Sequence, residues 1–180
     1  MNNQVIPNLK KLAGKYGIVL GIVLALMTIV SYFFYLELFT KWWTRILTFV
    51  IILSIAIIGS YQCKKASSEI YTYKKAFTSY FIIILIGLLI YTATNYLIFN
   101  ILDPNAADFV LAKTIEMTKS FMENFGASQE DINNSIKTLT QENQFSLKNQ
   151  ILGLCSNLVI YILIGLLVSL GLKENKQITE

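Results

Sequence analysis

Histidine is absent from this 180-residue chain, and arginine occurs once, at Arg45. The first absence removes the commonest general acid–base group and the commonest metal ligand. The second leaves a single centre able to clamp a phosphate or carboxylate with a guanidinium fork. Cysteine occurs twice (Cys63, Cys155) and proline twice (Pro7, Pro104). No cluster of His and Cys is available to hold zinc, and no His stands ready to activate a Ser or Cys nucleophile. The expectation is therefore no enzyme, no cofactor and no metal. Charge is scarce too: 14% of residues are charged and 54% apolar, where an ordinary soluble domain carries roughly 25% charged residues. So few charges cannot cover a globule in water, and so much apolar surface cannot hide in one small core. The same composition excludes intrinsic disorder.

What is present is four long apolar runs: about Tyr16 to Leu36, Trp43 to Tyr61, Phe77 to Phe99 and Ile151 to Leu172. Their interiors hold no acid and no lysine. A bilayer core about 30 Å thick needs roughly 20 apolar residues in a helix, and long strands would leave unpaired edges in lipid. The sequence predicts an all-α membrane protein, one transmembrane domain of four helices over residues 1–180. The first run follows Lys10, Lys11 and Lys15 as a signal peptide would. It is too long for a signal core, and no small-x-small cleavage site follows it, so it reads as a retained anchor helix.

Charge asymmetry sets the expected orientation. The amino-terminal segment, the loop from Gln62 to Ala76 and the carboxy-terminal tail hold nine lysines, among them Lys64, Lys65, Lys74, Lys75, Lys173 and Lys176. With four spans these three pieces share a face. The opposite face carries Lys41 and Arg45 beside Glu37, then a segment of four lysines and seven acids. The positive-inside rule places both termini in the cytoplasm. The +4 balance thus reads as a topological signal, with no nucleic acid as partner. Tyr16, Tyr61 and Tyr80 are expected at the inner interface. Tyr32, Tyr35, Trp42, Trp43 and Tyr96 are expected at the outer one.

Residues 100–148 form the only sizeable piece beyond the lipid. Asp103-Pro104 should end the third span and start a new helix. Leu111, Ile115, Met122 and Phe125 then recur at helical spacing, widened by Val110 and Phe121. Gly126 suits a helix stop. Ser128, with Asp131 three residues on, suits a helix start. Ile132, Ile136 and Leu139 continue the stripe. The expectation is an extracytoplasmic amphipathic helical hairpin of net charge −3. Its apolar stripe either packs on the hairpin itself or the membrane face, or docks a partner (another membrane or extracytoplasmic protein, or a second copy). Internal packing is the simpler reading, and the acid excess argues against binding to the lipid surface.

Three further groups stand out. Ala13, Gly17, Gly21 and Ala25 make a small-xxx-small ladder that permits close helix approach, either to another helix of the same chain or to a second copy. Gly165 and Ser169 offer a shorter counterpart on the fourth span. Asn95 and Asn157, the deepest polar residues, lie at similar depth and would hydrogen-bond across a helix interface. They suit helix packing better than transport, because ion pathways normally carry an intramembrane charge. Cys63 and Cys155 should sit most of a membrane thickness apart, too far for a disulfide. Cys63 beside Lys64-Lys65 also suits acylation, and the basic loop would attract anionic head groups, although neither assumption is needed.

Taken together, Tyr73-Lys74-Lys75-Ala76-Phe77, the segment Tyr96-Leu97-Ile98-Phe99-Asn100-Ile101-Leu102-Asp103-Pro104 and the hairpin's Ser128-Gln129-Glu130-Asp131-Ile132 resemble a bacterial inner-membrane family known as domain of unknown function 4199. The resemblance covers nearly the whole chain. It implies a bacterial cytoplasmic membrane and four helices, and it transfers no catalytic or binding residue. The function expected from the sequence is that of an accessory or scaffolding membrane subunit presenting its acidic hairpin, Asn105 to Gln144. The alternative is a small oligomeric transporter or lipid-flipping component.

Overall fold

The computed structural model describes residues 9–141 and 144–174. Glu142, Lys176 and Glu180, which enter the charge balance, lie outside the described residues. Among the described residues six α-helices follow one another: α1 (Leu9–Phe34), α2 (Trp42–Lys65), α3 (Tyr73–Tyr96), α4 (Pro104–Asn124), α5 (Gln129–Gln141) and α6 (Leu147–Leu172). Among the described residues there is no strand. Four helices are long and apolar enough to cross a membrane: α1, α2, α6 and α3 extended to Leu102. By length and composition the chain is a multi-pass membrane protein.

The helices run further than the apolar runs do. Helix α1 begins at Leu9, so Lys10, Lys11 and Lys15 lie on its first turns, because helical hydrogen bonding continues into polar flanks that hydropathy alone does not count. It stops at Phe34, where Tyr35 leaves helical geometry (φ −155°, ψ 83°) and a 3₁₀ turn, Leu36–Phe39, leads towards α2. Leu36 therefore lies outside the first helix.

Helix α3 is the hub. It packs along α1 over the greatest length, then against α6 and α2, and α1 also touches α2. Leu20, Leu24, Ala56, Tyr80, Ile83 and Ile84 are sealed between these helices. Lipid tails are as apolar as leucine, so close van der Waals fit rather than water exclusion holds such a bundle together. Leu163, Leu167, Ile58 and Phe33 stay on the outside, where a bilayer would cover them. Tyr80, expected at an interface, is 1% exposed. It lies two turns inside α3, where its ring meets the bare backbone of Gly165 on α6.

The ends of the bundle differ. At one end the described termini meet the α2–α3 loop. The Cys63 thiol is 3.9 Å from the Leu9 carbonyl. Glu174 accepts from Tyr71 N–H at 3.1 Å, donates its own N–H to the Tyr71 carbonyl at 2.9 Å, and lies 3.8 Å from Lys64 Nζ. At the other end the α4–α5 hairpin sits over the α1–α2 connection.

Local chemistry starts and stops the hairpin helices. After α3 the chain widens into a π-helical turn, Leu97–Leu102, in which Asp103 N–H reaches back five residues to the Ile98 carbonyl at 2.8 Å. Asp103 then caps α4, accepting from Ala106 N–H at 3.2 Å, with Pro104 in the first turn. Helix α4 ends at Gly126, whose φ of +75° suits a residue without a Cβ. Gly126 N–H bonds the Glu123 carbonyl and Ala127 N–H the Met122 carbonyl, both at 3.0 Å, the paired bonds of a Schellman stop. Ser128 Oγ then accepts from Asp131 N–H at 3.1 Å and starts α5.

Candidate functional site

The structure distributes the residues singled out in the sequence. Ala13, Gly17 and Gly21 are buried and Ala25 half-buried, on the side of α1 that faces α3 of the same chain. A Cβ at Gly17 would lie 2.8 Å from Ile86 Cβ, and one at Gly21 would lie 2.6 Å from Ile90 Cβ. Gly165 faces α3 too, through Tyr80, and the buried Ser169 donates its hydroxyl to the Gly165 carbonyl, so Gly165 is not the ladder's counterpart. Asn95 and Asn157 do not meet. Each amide donates to its own helix at 2.9 Å, to Tyr91 O and Gly153 O respectively. Asn95 is buried and Asn157 exposed. The i−4 carbonyl satisfies an amide within one helix, which removes the need for a partner across the interface. Cys63 is buried, Cys155 exposed, and both are free.

The hairpin stripe is largely turned inward. Ile132 is buried, and Leu111, Ile115, Met122 and Ile136 are half-buried, leaving Phe125 exposed. The large apolar side chains that α4 does expose are Phe109, Met117, Phe121 and Phe125. The rings of Phe121 and Phe125 lie 4.5 Å apart.

Contacts not anticipated from the sequence bind the hairpin to the bundle. Tyr32 on α1 donates its hydroxyl to Asp103 Oδ2 at 3.0 Å, which ties the α4 cap to the first helix. Asn100 Nδ2 donates to the Phe145 carbonyl at 2.6 Å. Phe145 stacks on Phe99 at 4.1 Å, and Phe99 meets Phe39 edge-on at 5.1 Å. Only the clustering of Tyr, Phe and Asn at the ends of apolar runs hinted at these contacts, and it names no pairs.

The same end of the bundle opens into a cleft of about 370 Å³ between α1, α2, α3 and α6. Ser31, Thr44, Arg45, Thr48 and Asn157 give it polar lining, and Met27, Leu38 and Phe49 line it beside the sealed Leu24, Ile52 and Leu88, with Tyr91 and Tyr161. The stacked rings of Phe49 and Tyr161, 5.7 Å between centroids, line one side. Thr28 and Thr48 donate their hydroxyl protons to Leu24 O and Thr44 O, at 3.0 and 2.9 Å. The buried Thr44 Oγ1 has no hydrogen-bond partner. Among the described residues no carboxylate pairs with Arg45, which stands in the first turn of α2, a helix start without a side-chain cap. The combination is one fixed positive charge and an unsatisfied hydroxyl beside an apolar lining.

A second hollow, about 430 Å³, lies at the lysine-rich end, lined by Lys10, Lys74 and Lys75 together with Glu69. There the hydrogen bond from Lys75 holds the Glu69 carboxyl below the usual carboxylate range. Among the described residues no three His, Cys, Asp or Glu side chains converge as a metal site requires.

No curated protein and no solved structure matches the chain. One family model does, described as a protein of unknown function (DUF4199), and its match takes in residues 15–174. With nearly the whole length covered, the chain belongs to the DUF4199 family.

Proposed function

We propose that this protein is a non-catalytic integral membrane protein of the bacterial cytoplasmic membrane, an accessory or scaffolding subunit that engages a partner through its hairpin. Both termini lie in the cytoplasm and the hairpin outside. The lysine-rich end supports that orientation. The observation that carries the reading is the exposed pair Phe121 and Phe125, 62% and 76% accessible, on an arm clamped to the bundle through Asp103 and Phe145. Large exposed aromatics near acidic side chains are typical of contact surfaces. The docking face is thus Met117, Phe121 and Phe125 rather than the inward stripe. A photo-crosslinking residue placed at Phe125 should yield one discrete adduct in cells, and adducts with itself alone, or none, would sink the proposal. A cysteine at Ser128 in a Cys155→Ser background should react with an impermeant maleimide from outside the cell.

A second reading, a small transporter or lipid-flipping component working as an oligomer, draws support from the cleft at Arg45. The charge-free interior of the four spans weighs against ion or proton transport. Lipid scrambling by purified protein in vesicles would move the balance to this reading.

A further inference from the structure

We propose that the cleft between α1, α2, α3 and α6 binds a net-anionic phospholipid, its phosphate held by Arg45 and Thr44 and its chain lying along Met27, Leu38 and Phe49. The inference concerns binding alone. It holds whatever the hairpin contacts and whether or not lipid is moved.

The chemistry of the lining selects the ligand. Arg45 is the chain's only arginine, and among the described residues it has no carboxylate partner. A guanidinium at the edge of a bilayer gains most from an anion that accepts two parallel hydrogen bonds, which is the geometry of phosphate. One residue earlier, the Thr44 hydroxyl is buried and unsatisfied, and a buried donor without a partner is costly unless a ligand supplies one. A phosphate oxygen in the cleft answers both needs.

The apolar lining excludes a purely polar ligand. From Arg45 to Ile52 along α2 is seven residues, about 10 Å at 1.5 Å per residue, and the lining includes the apolar Met27, Leu38 and Phe49 beside the sealed Leu24, Ile52 and Leu88. An apolar lining beside a fixed positive charge, set among four membrane-length helices, matches a lipid with its head at the interface and its chain towards the midplane. A free phosphate would leave that lining uncovered.

Trp42 and Trp43, the only two tryptophans, flank Arg45 and report on the site. Purified protein would be placed in phosphatidylcholine nanodiscs containing equal fractions of brominated phosphatidylglycerol or brominated phosphatidylcholine. Brominated chains quench indole fluorescence on contact. Both lipids carry a phosphate, but in phosphatidylcholine the choline cation neutralises it and opposes Arg45, so the expected result is about tenfold preferential quenching by phosphatidylglycerol, the factor of one charge-assisted hydrogen bond. That preference should fall close to unity in Arg45→Gln and severalfold in Thr44→Val, which keeps every charge and the side-chain volume. Lys41→Gln, a neighbouring cation outside the cleft, should retain it. Equal quenching by the two lipids in the unaltered protein overturns the proposal, and so does a loss in Lys41→Gln as large as in Arg45→Gln. Should Arg45→Gln fail to insert, Thr44→Val decides.

Discussion

Replacing Gly21 by alanine tests whether the ladder on α1 is satisfied inside one chain. The new Cβ would sit 2.6 Å from Ile90 Cβ, whereas carbon atoms rest about 3.5–4.0 Å apart. The shortfall is about 1 Å, and rotating the Ile90 side chain does not relieve it, since a Cβ is fixed to the backbone. The helices must part locally. A gap of that size forfeits a quarter to a half of the dispersion energy of the atoms it separates, and overpacking a tight core costs about 1–3 kcal/mol. Gly21→Ala is therefore expected to lower stability by about 2 kcal/mol, measured by titrating the protein from mild detergent into dodecyl sulfate and following tryptophan fluorescence. Gly17→Ala meets Ile86 Cβ at 2.8 Å and the Ile83 carbonyl at 3.1 Å and should behave alike. The double variant should cost less than the two losses added together, because the helices separate only once. Ile90→Gly in the Gly21→Ala background moves the missing Cβ to the other helix and should recover part of the loss. Gly153→Ala is the control, since its Cβ would meet nothing within 4 Å and stability should hold or rise. If Gly21→Ala leaves stability unchanged while dimer content falls by crosslinking, the ladder serves a second copy and the reasoning fails.

Asp103→Ala removes both the α4 cap and the acceptor for Tyr32. A loss of about 1–2 kcal/mol is expected, together with faster hydrogen exchange confined to the first turns of α4. Gly126→Ala forces a Cβ into the left-handed region at φ +75° and should cost about 1 kcal/mol, visible as accelerated proteolysis between α4 and α5. The Glu69 carboxyl, held low by Lys75, contributes stability above its unfolded pKa and loses it as pH falls through the lower folded value. Glu69→Gln should flatten that acid limb of the stability profile by slightly lowering stability at neutral pH, while leaving it unchanged below the folded pKa, where the carboxyl is protonated in both states.

Hydropathy located the four long helices because bilayer thickness dictates a run of about 20 apolar residues. The residues that stop and start the hairpin were readable for an equally local reason. Asp103-Pro104, Gly126 and Ser128 act on backbone groups within a few residues of themselves. Pairings between helices were not readable. Nothing local distinguishes Gly165 facing Tyr80 from Gly165 facing the α1 ladder, and an asparagine's choice between its own i−4 carbonyl and a neighbouring helix depends on interhelical distance. Arg45 could be identified as the one guanidinium, but its place beside an apolar lining required α1, α3 and α6 to be set around α2.

The widened turn at Leu97–Leu102 has a consequence for the hairpin's bearing. Each residue of an α-helix advances the azimuth by about 100°, and a π turn takes up one residue beyond the α-helical count. Deleting a single residue there would restore regular winding and leave Asp103 close to its present bearing on Tyr32, whereas a deletion in the regularly wound part of α3 would swing it through about 100° and aim the arm at a different quadrant of the bundle. The widened turn thus takes up one residue of length without changing the compass setting of the helices that follow.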